Sequence, residues 1–201
     1  MRQLDSPAVS AVVLASGFST RFRSNKLLLP LGKETVIGMT IRHVQDAGIS
    51  RIAVVIPKDD DSLYYALPEG VDKVYNAARG EGVASSIRAG IDHFRGSGVA
   101  VFIINGDQPV LPSSVIDRMI NLYRKNTRAI VACAINGDPV NPAIFPCEYF
   151  EDLMHLQGDM GAKPIIVRNM QNVIRIEVNP ELLADIDTYS DYEIIVKLLQ
   201  K

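Results

Sequence analysis

Ala8-Val9-Ser10-Ala11-Val12-Val13-Leu14-Ala15 runs directly into Ser16-Gly17-Phe18-Ser19-Thr20-Arg21-Phe22. The first eight residues are nearly all apolar and rich in valine, the pattern of a strand buried on both faces. Three more runs read the same way: Arg51–Ile56, Val99–Ile104 and Arg128–Ile135. Between them Glu34–Ala47, Val83–Phe94 and Ser114–Lys125 carry helical spacing, and Gly48 suits a C-terminal cap for the first. Alternation of this kind predicts an α/β fold with a Rossmann-like, mostly parallel sheet and helices on both faces. Ligands of such sheets bind beyond the carboxyl ends of the strands, so the residues that follow each strand are the ones to inspect.

Bulk composition narrows the function classes. The 201 residues suit one domain spanning 1–201, with enough apolar content for a proper core. A net charge of −2 gives no general affinity for nucleic acid or an anionic membrane, so an anion must be held by a local site. No apolar run approaches the roughly 20 residues of a bilayer span, and Met1–Ser10, with Asp5 and Pro7, lacks a signal-peptide core. Cys133 and Cys147 lack metal-ligand spacing and read as buried thiols. His43, His93 and His155 fall in helical segments and read as structural. A cytoplasmic enzyme or binding domain is expected.

The first loop has the chemistry of a triphosphate site. Leu14, Ala15, Ser16 and Gly17 let backbone N–H groups approach phosphate oxygens closely, and Arg21 and Lys26 add positive charge. An ordinary βα turn with solvated basic side chains would read similarly. Two other phosphate loops are excluded. Gly17 stands alone where the dinucleotide fingerprint needs three glycines, and Gly32-Lys33 fails the Walker pattern at Leu27 and at Glu34.

Two carboxylates complete a candidate centre. Asp107, in Asn105-Gly106-Asp107-Gln108-Pro109 just past the third strand, is placed to hold a hard cation such as Mg2+, which takes one or two carboxylates and leaves its other positions to phosphate and water. Asp187 lies in Asp185-Ile186-Asp187-Thr188-Tyr189-Ser190-Asp191, where Thr188 and Asp191 have capping-box spacing at a helix entrance. Acids there also complement a helix dipole, and Asp185 reads as structural. Gly82, Ser85 and Ser86 surround another helix start, suited either to an anion or base edge or to a plain cap.

Taken in order, these segments resemble the molybdenum cofactor nucleotidyltransferases, of the nucleotide-diphospho-sugar transferase type, over roughly residues 8 to 192. Leu14-Ala15-Ser16-Gly17-x-Ser19-x-Arg21-Phe22-x-x-x-Lys26-Leu27-Leu28 looks like the family's signature loop, and Gly106-Asp107-x-Pro109 like its metal-binding turn. Asp185-x-Asp187-Thr188 is similar to Asp-x-Asp-Thr-Pro, with Tyr189 in place of proline. Gly82-x-x-x-Ser86-x-x-x-Gly90 resembles the cytidylyltransferase branch. Gly137–Phe145, with Asn141 and Pro142, matches Gly-[Asn/His]-Pro-x-x-Phe but has Val140 where glycine is usual. Leu156–Lys163 matches Leu-x-Gly-Asp-x-Gly-Ala-Arg, with Lys163 for arginine.

The resemblance implies Mg2+-dependent transfer of a nucleotidyl group from an NTP to molybdopterin, with pyrophosphate released. Arg21, Lys26 and Asp107 would be catalytic and Asp107 and Asp187 would hold the metal. Leu14 to Gly17, Arg21, Lys26, Gly82, Ser85, Ser86 and Asp107 would contact the nucleotide, and Asn141, Pro142, Asp159 and Lys163 the acceptor. CTP is favoured, although Ser16 replaces the alanine usual in the cytidine branch and the glycine usual in the guanine branch. Alternatives are a guanylyltransferase, transfer to a sugar or polyol phosphate, or a non-catalytic carrier. A recipient molybdoenzyme or its chaperone is the expected partner.

Overall fold

A computed structural model describes residues 8–19, 21–22 and 24–200. The leader expectation for Met1–Ser10 therefore falls largely outside the described residues, as do Thr20 and Arg23 of the first loop. In chain order the elements begin with β1 (Val9–Leu14), a short β2–β3 hairpin (Pro30–Leu31, Glu34–Thr35), α1 (Val36–Asp46), β4 (Ile52–Pro57), α2 (Ser62–Ala66) and β5 (Asp72–Asn76). They continue with α3 (Val83–Phe94), β6 (Ala100–Asn105), α4 (Ser113–Lys125), β7 (Ile130–Ile135) and β8 (Asp138–Phe145). The last are α5 (Phe150–Met154), α6 (Lys163–Arg168), β9 (Val173–Glu177) and α7 (Tyr189–Leu199).

Among the described residues seven strands form one sheet in the order β5-β4-β1-β6-β8-β7-β9. All neighbours are parallel except where β8 runs antiparallel to β6 and β7. Alternate residues of β1 divide between two cores. Ala11, Val13 and Ala15 pack with Ile37 and Ile41 of α1, Met119 of α4 and Ile195 of α7. Val12 and Leu14 pack on the opposite face with Ile87 and Ile91 of α3 and with residues of α5 and α6. Both faces are covered, as the unbroken apolar runs predict.

Two expectations need adjustment. Helical spacing begins at Glu34 in the sequence, but Glu34–Thr35 pairs with Pro30–Leu31 and the helix starts at Val36. Thr35 supplies the cap, its Oγ1 accepting from Gly38 N at 3.1 Å. Cys133 is buried, yet Cys147 is exposed, because it follows the end of β8 in a short 3-10 turn outside both cores. No helix among the described residues is long and apolar enough to cross a membrane.

The position of β1 decides where a ligand can sit. The chain moves from β1 to β4 and β5, then returns across β1 to β6, which makes the β1–β6 boundary the reversal point of the sheet. Leu14 is in register with Asn105, and Gly106 N donates to Leu14 O at 2.8 Å. The first loop and the Gly-Asp turn therefore leave the sheet side by side at its carboxyl edge, the crevice in which open α/β sheets take ligands.

Candidate active site

A cleft of about 600 Å³ opens at this edge. Leu14, Ala15, Ser16 and Gly17 form one wall with Arg21 and Lys26, while Gly82, Ser86, Asp107 and Asp159 line the rest. Ser85 stands behind Ser86, and Asp187 lines a smaller recess that shares Arg21 and Lys26 with the cleft. Twelve residues separated by up to 173 positions in sequence are so brought to one place. Three expected acceptor residues lie elsewhere. Asn141 and Pro142 sit within β8, and Lys163 lines a separate apolar depression with Met160 and Val167.

Lys26 is held by local structure. Asn25 Oδ1 accepts from Leu27 N at 3.1 Å and starts the short turn Lys26–Leu28, while Lys26 N donates to Ser19 Oγ at 3.3 Å. The ammonium then lies 2.6 Å from Asp107 Oδ2 and 3.1 Å from Asp187 Oδ1. Burial pulls the Lys26 pKa down, but Asp107 and then Asp187 outweigh it and leave it above the ordinary lysine value.

The two aspartates come from opposite ends of the chain, and a backbone bond joins them. Ile186 N donates to Asp107 O at 3.2 Å, which seats the Asp185–Asp187 segment against the Gly-Asp turn. The expected capping box is present: Thr188 Oγ1 accepts from Asp191 N, and Asp191 Oδ2 accepts from Thr188 N at 2.8 Å. That box fixes the entrance of α7 and with it Asp187.

Asp185 is less peripheral than its sequence suggests. Burial, followed by repulsion from Asp107 and Asp187, pushes its pKa up to about 7. Asp107 Oδ1 and Asp185 Oδ1 are both buried without a hydrogen-bond partner among the described residues. Among the described residues no three acidic, His or Cys side chains converge on one point, and the ammonium of Lys26 fills the gap between Asp107 and Asp187.

The other wall is a hydrogen-bonded cluster. Asn76, the last residue of β5, donates from Nδ2 to Ser16 Oγ at 3.2 Å, Ser85 Oγ at 2.9 Å and Ser86 Oγ at 3.1 Å. Ser16 Oγ and Ser86 Oγ are 2.6 Å apart, which ties the first loop to α3. The spacing of Gly82, Ser86 and Gly90 now has a physical reason. A Cβ on Gly90 would lie 2.4 Å from Val12 Cγ1, so α3 rests directly on β1. Gly82, with φ +87°, would meet the Gly158 backbone at 2.6 Å. One helix face therefore touches the Gly158 turn, the first loop and the central strand at successive turns.

Asp159 completes this wall. Gly82 has no side chain with which to cap α3, and Asp159 Oδ1 accepts from Val83 N at 3.2 Å instead, while Gly158 O accepts from Ala84 N at 3.0 Å. The Gly158–Gly161 turn between α5 and α6 is thus both a tight connection and the cap of another helix. Asn76 and Arg79, together with Phe18, escape a motif-based reading because their partners are distant in sequence. Arg79 Cζ lies 4.2 Å from the centre of the Phe18 ring, and its Nη2 is 2.6 Å from Asp59 Oδ2.

A loop of small residues, a half-buried lysine and a carboxylate pair at the reversal point of a mostly parallel sheet define a protein of the nucleotidyltransferase class. The comparisons agree: residues 11–173 match the MobA-like NTP transferase domain, and the chain belongs to that family. Over 187 residues it is 23% identical to the molybdenum cofactor cytidylyltransferase of Escherichia coli, covering 92% of this chain and 94% of that protein. It is 26% identical to the purine catabolism protein PucB of Bacillus subtilis, covering 94% and 97%. A Mycobacterium sp. strain JC1 homologue of Mycobacterium tuberculosis Rv0371c superposes with a TM-score of 0.80 at 29% identity, covering 94% and 95%. The Mycobacterium tuberculosis Rv0371c structure in complex with manganese superposes with a TM-score of 0.80 at 24% identity, covering 96% and 99%.

Proposed function

We propose that this nucleotidyltransferase moves CMP from CTP to a molybdopterin-type phosphate acceptor, with a divalent cation. The observation that carries the reading is Lys26 bridging Asp107 and Asp187 beneath the first loop. An acceptor phosphate oxygen attacks the α-phosphorus, a new P–O bond forms, and the α–β bridge bond breaks with its electrons leaving on pyrophosphate. Both reactants are anions, so the chain's task is neutralisation and in-line positioning, and no covalent enzyme intermediate is required.

The donor set suits a hard cation. Asp107 carries a buried oxygen without a partner among the described residues, Asp187 faces it across the ammonium, and oxygen donors are what Mg2+ and Mn2+ take. Asp107 and Asp187 would hold the cation, which supplies Lewis-acid neutralisation of the phosphate oxygens. Lys26 and Arg21 hold the β- and γ-phosphates and stabilise charge on the departing pyrophosphate. Backbone N–H groups from Ala15 to Gly17 approach the same oxygens. Gly82, Ser85, Ser86 and Leu14 form the nucleoside side, Asp159 sets the entrance of α3, and Asn141, Pro142 and Lys163 are proposed to meet the acceptor at the periphery.

CTP is favoured by the resemblance of Gly82-x-x-x-Ser86-x-x-x-Gly90 to the cytidylyltransferase branch, and the likeness to the Escherichia coli cytidylyltransferase supports both donor and acceptor. The test is pyrophosphate release from CTP and from GTP with Mg2+ or Mn2+, with and without molybdopterin. Release from CTP that requires the acceptor is expected. Preference for GTP would move the reading to a guanylyl donor. Release only with a sugar or polyol phosphate would replace the acceptor, and nucleotide binding without release would indicate a carrier.

A further inference from the structure

The sheet has two outer strands, and they are finished differently. β9 closes one side with Arg175 and Glu177 both exposed, the charged side chains with which an edge is ordinarily blunted. β5 closes the other, and among the described residues no strand lies beyond it. Its lysine does not project into solvent: Lys73 Nζ donates to Tyr64 O at 2.6 Å and lies 4.0 Å from the centre of the Tyr64 ring. Exposed aromatic rings surround it instead. Tyr75 stacks on Tyr64 with centroids 6.2 Å apart, and Tyr65 meets Tyr64 edge-on at 5.3 Å. Tyr65 is 82% exposed and Tyr75 45%.

One bond gives the direction of the backbone groups. Lys58 N, just past the end of β4, donates to Asn76 O at 3.3 Å. A ladder repeats every second residue, so Asp72, Val74 and Asn76 turn their peptide groups toward β4. Lys73 and Tyr75 turn their N–H and C=O groups outward. An edge with open donors and acceptors, beside an aromatic patch and without a projecting charge, is a template for another strand.

We propose that β5 pairs antiparallel with β5 of a second copy of this chain, about a two-fold axis at Val74, and so joins two sheets into one. The strand is complementary to itself in that register. Lys73 of each copy faces Tyr75 of the other; each such pair exchanges both backbone hydrogen bonds and sets an ammonium beside a tyrosine ring. Asp72 faces Asn76 and Val74 faces Val74, so every residue of the strand is paired and no like charges are opposed. A shift of two residues one way sets Lys73 against Lys73. The same shift the other way carries Asp72 and Lys73 past the end of the second strand. A self-complementary patch on a two-fold axis is the form of the commonest homodimers.

The experiment is sedimentation velocity of the full chain over a range of concentrations, for the wild type, Tyr75→Lys and Tyr75→Glu. Both variants remove the same ring from the Tyr64 stack and differ only in the charge set opposite Lys73. Circular dichroism and melting in dilute solution show that both are folded. The expected result is a wild type that dimerises as concentration rises. Tyr75→Lys opposes like charges at two pairs, whereas Tyr75→Glu pairs with Lys73 at both, so the glutamate variant should dimerise about tenfold more tightly than the lysine variant. Equal loss in the two variants would reduce the contact to the aromatic patch and overturn the proposal. Unaltered dimers in both would place the contact on another face and overturn it too. So would a wild type that stays monomeric throughout, which would leave the edge to a strand of another protein.

Discussion

Lys26 Nζ lies 2.6 Å from Asp107 Oδ2, with both side chains largely buried, and 81 positions of chain separate them. The contact exists because β1 and β6 are neighbours in register, so the loop after one faces the turn after the other. It converts two weak sequence signals into one charged centre. A lysine near a Gly-containing loop and an aspartate after a strand are each common; their juncture at the sheet's reversal point is not.

Removing either partner is expected to silence the chemistry more than it weakens the fold. Asp107→Ala or Lys26→Met should lower pyrophosphate release by about 10²–10³. Asp107→Ala leaves the ammonium beside Asp187 at 3.1 Å, so its cost in stability should stay below about 3 kcal/mol. Turnover and urea denaturation on the same preparations separate the two effects. Full turnover by Asp107→Ala would contradict the metal assignment.

Asp185 makes stability depend on pH in an unusual direction. Its carboxyl group is raised to about 7, mainly by burial, so the folded chain keeps a proton that the unfolded chain releases near pH 4. Its contribution is therefore fully present below about pH 4 and is lost as pH rises to about 7, after which it is constant. The loss is on the order of 2–4 kcal/mol after allowance for partial exposure. Asp185→Asn should flatten the dependence of melting temperature on pH between 5 and 8, measured in chelator. An unchanged slope would show that Asp185 is ionised throughout.

The seating of α3 on β1 is open to a steric test. Ala is ordinarily the better helix former, yet Gly90→Ala should destabilise by about 1–3 kcal/mol because its methyl would lie 2.4 Å from Val12 Cγ1. Adding Val12→Ala should recover part of the loss, a coupling expected of residues in contact. Chemical denaturation of the two single variants and the double variant measures it. Strict additivity would mean that the helix stands off the strand.

The two thiols should behave differently. Burial pushes Cys133 up to about 12, so it stays protonated and shielded at neutral pH, whereas Cys147 is exposed. A thiol reagent at pH 8 should titrate one group in the native chain and two after denaturation. Two rapid equivalents in the native chain would show that β7 opens readily.

Much of the architecture was legible because it is written in local periodicity. β1, β4, β6 and β7 announce themselves as unbroken apolar runs, and α3 begins and ends where its spacing indicates. The capping box at Thr188 and Asp191 needs only three residues of separation and was equally plain. Strand β8 was not, since Pro139 and Pro142 argue against an interior strand. Its pairing with β6 spans only Ala143–Phe145, and its pairing with β7 shifts register between Ala132 and Cys133, so the prolines fall where the ladder is incomplete.

The site was legible in its parts and not in its wiring. Asn76 reaches hydroxyls 9, 10 and 60 positions away, and Arg79 reaches Phe18 and Asp59 only because β4 and β5 end beside β1. No local pattern reports which strands are neighbours. The burial of Asp185 is likewise a property of packing, as an acidic run near a helix start reads as solvated. Lys163 shows the converse: a motif marks it as an acceptor contact, and only the fold places its side chain in a depression beside Met160, apart from the main cleft.

Nucleotidyl transfer carries the α-phosphorus to the acceptor together with its nucleoside, and isotopic labelling tests this most directly. CTP labelled at the α-phosphate, and separately at the γ-phosphate, is incubated with Mg2+, molybdopterin and the wild-type chain. Nucleotidyl transfer predicts that the α-label moves into the acceptor and the γ-label appears in pyrophosphate, with neither seen for Asp107→Ala. The γ-label on the acceptor, or the α-label released only as free CMP, would contradict it.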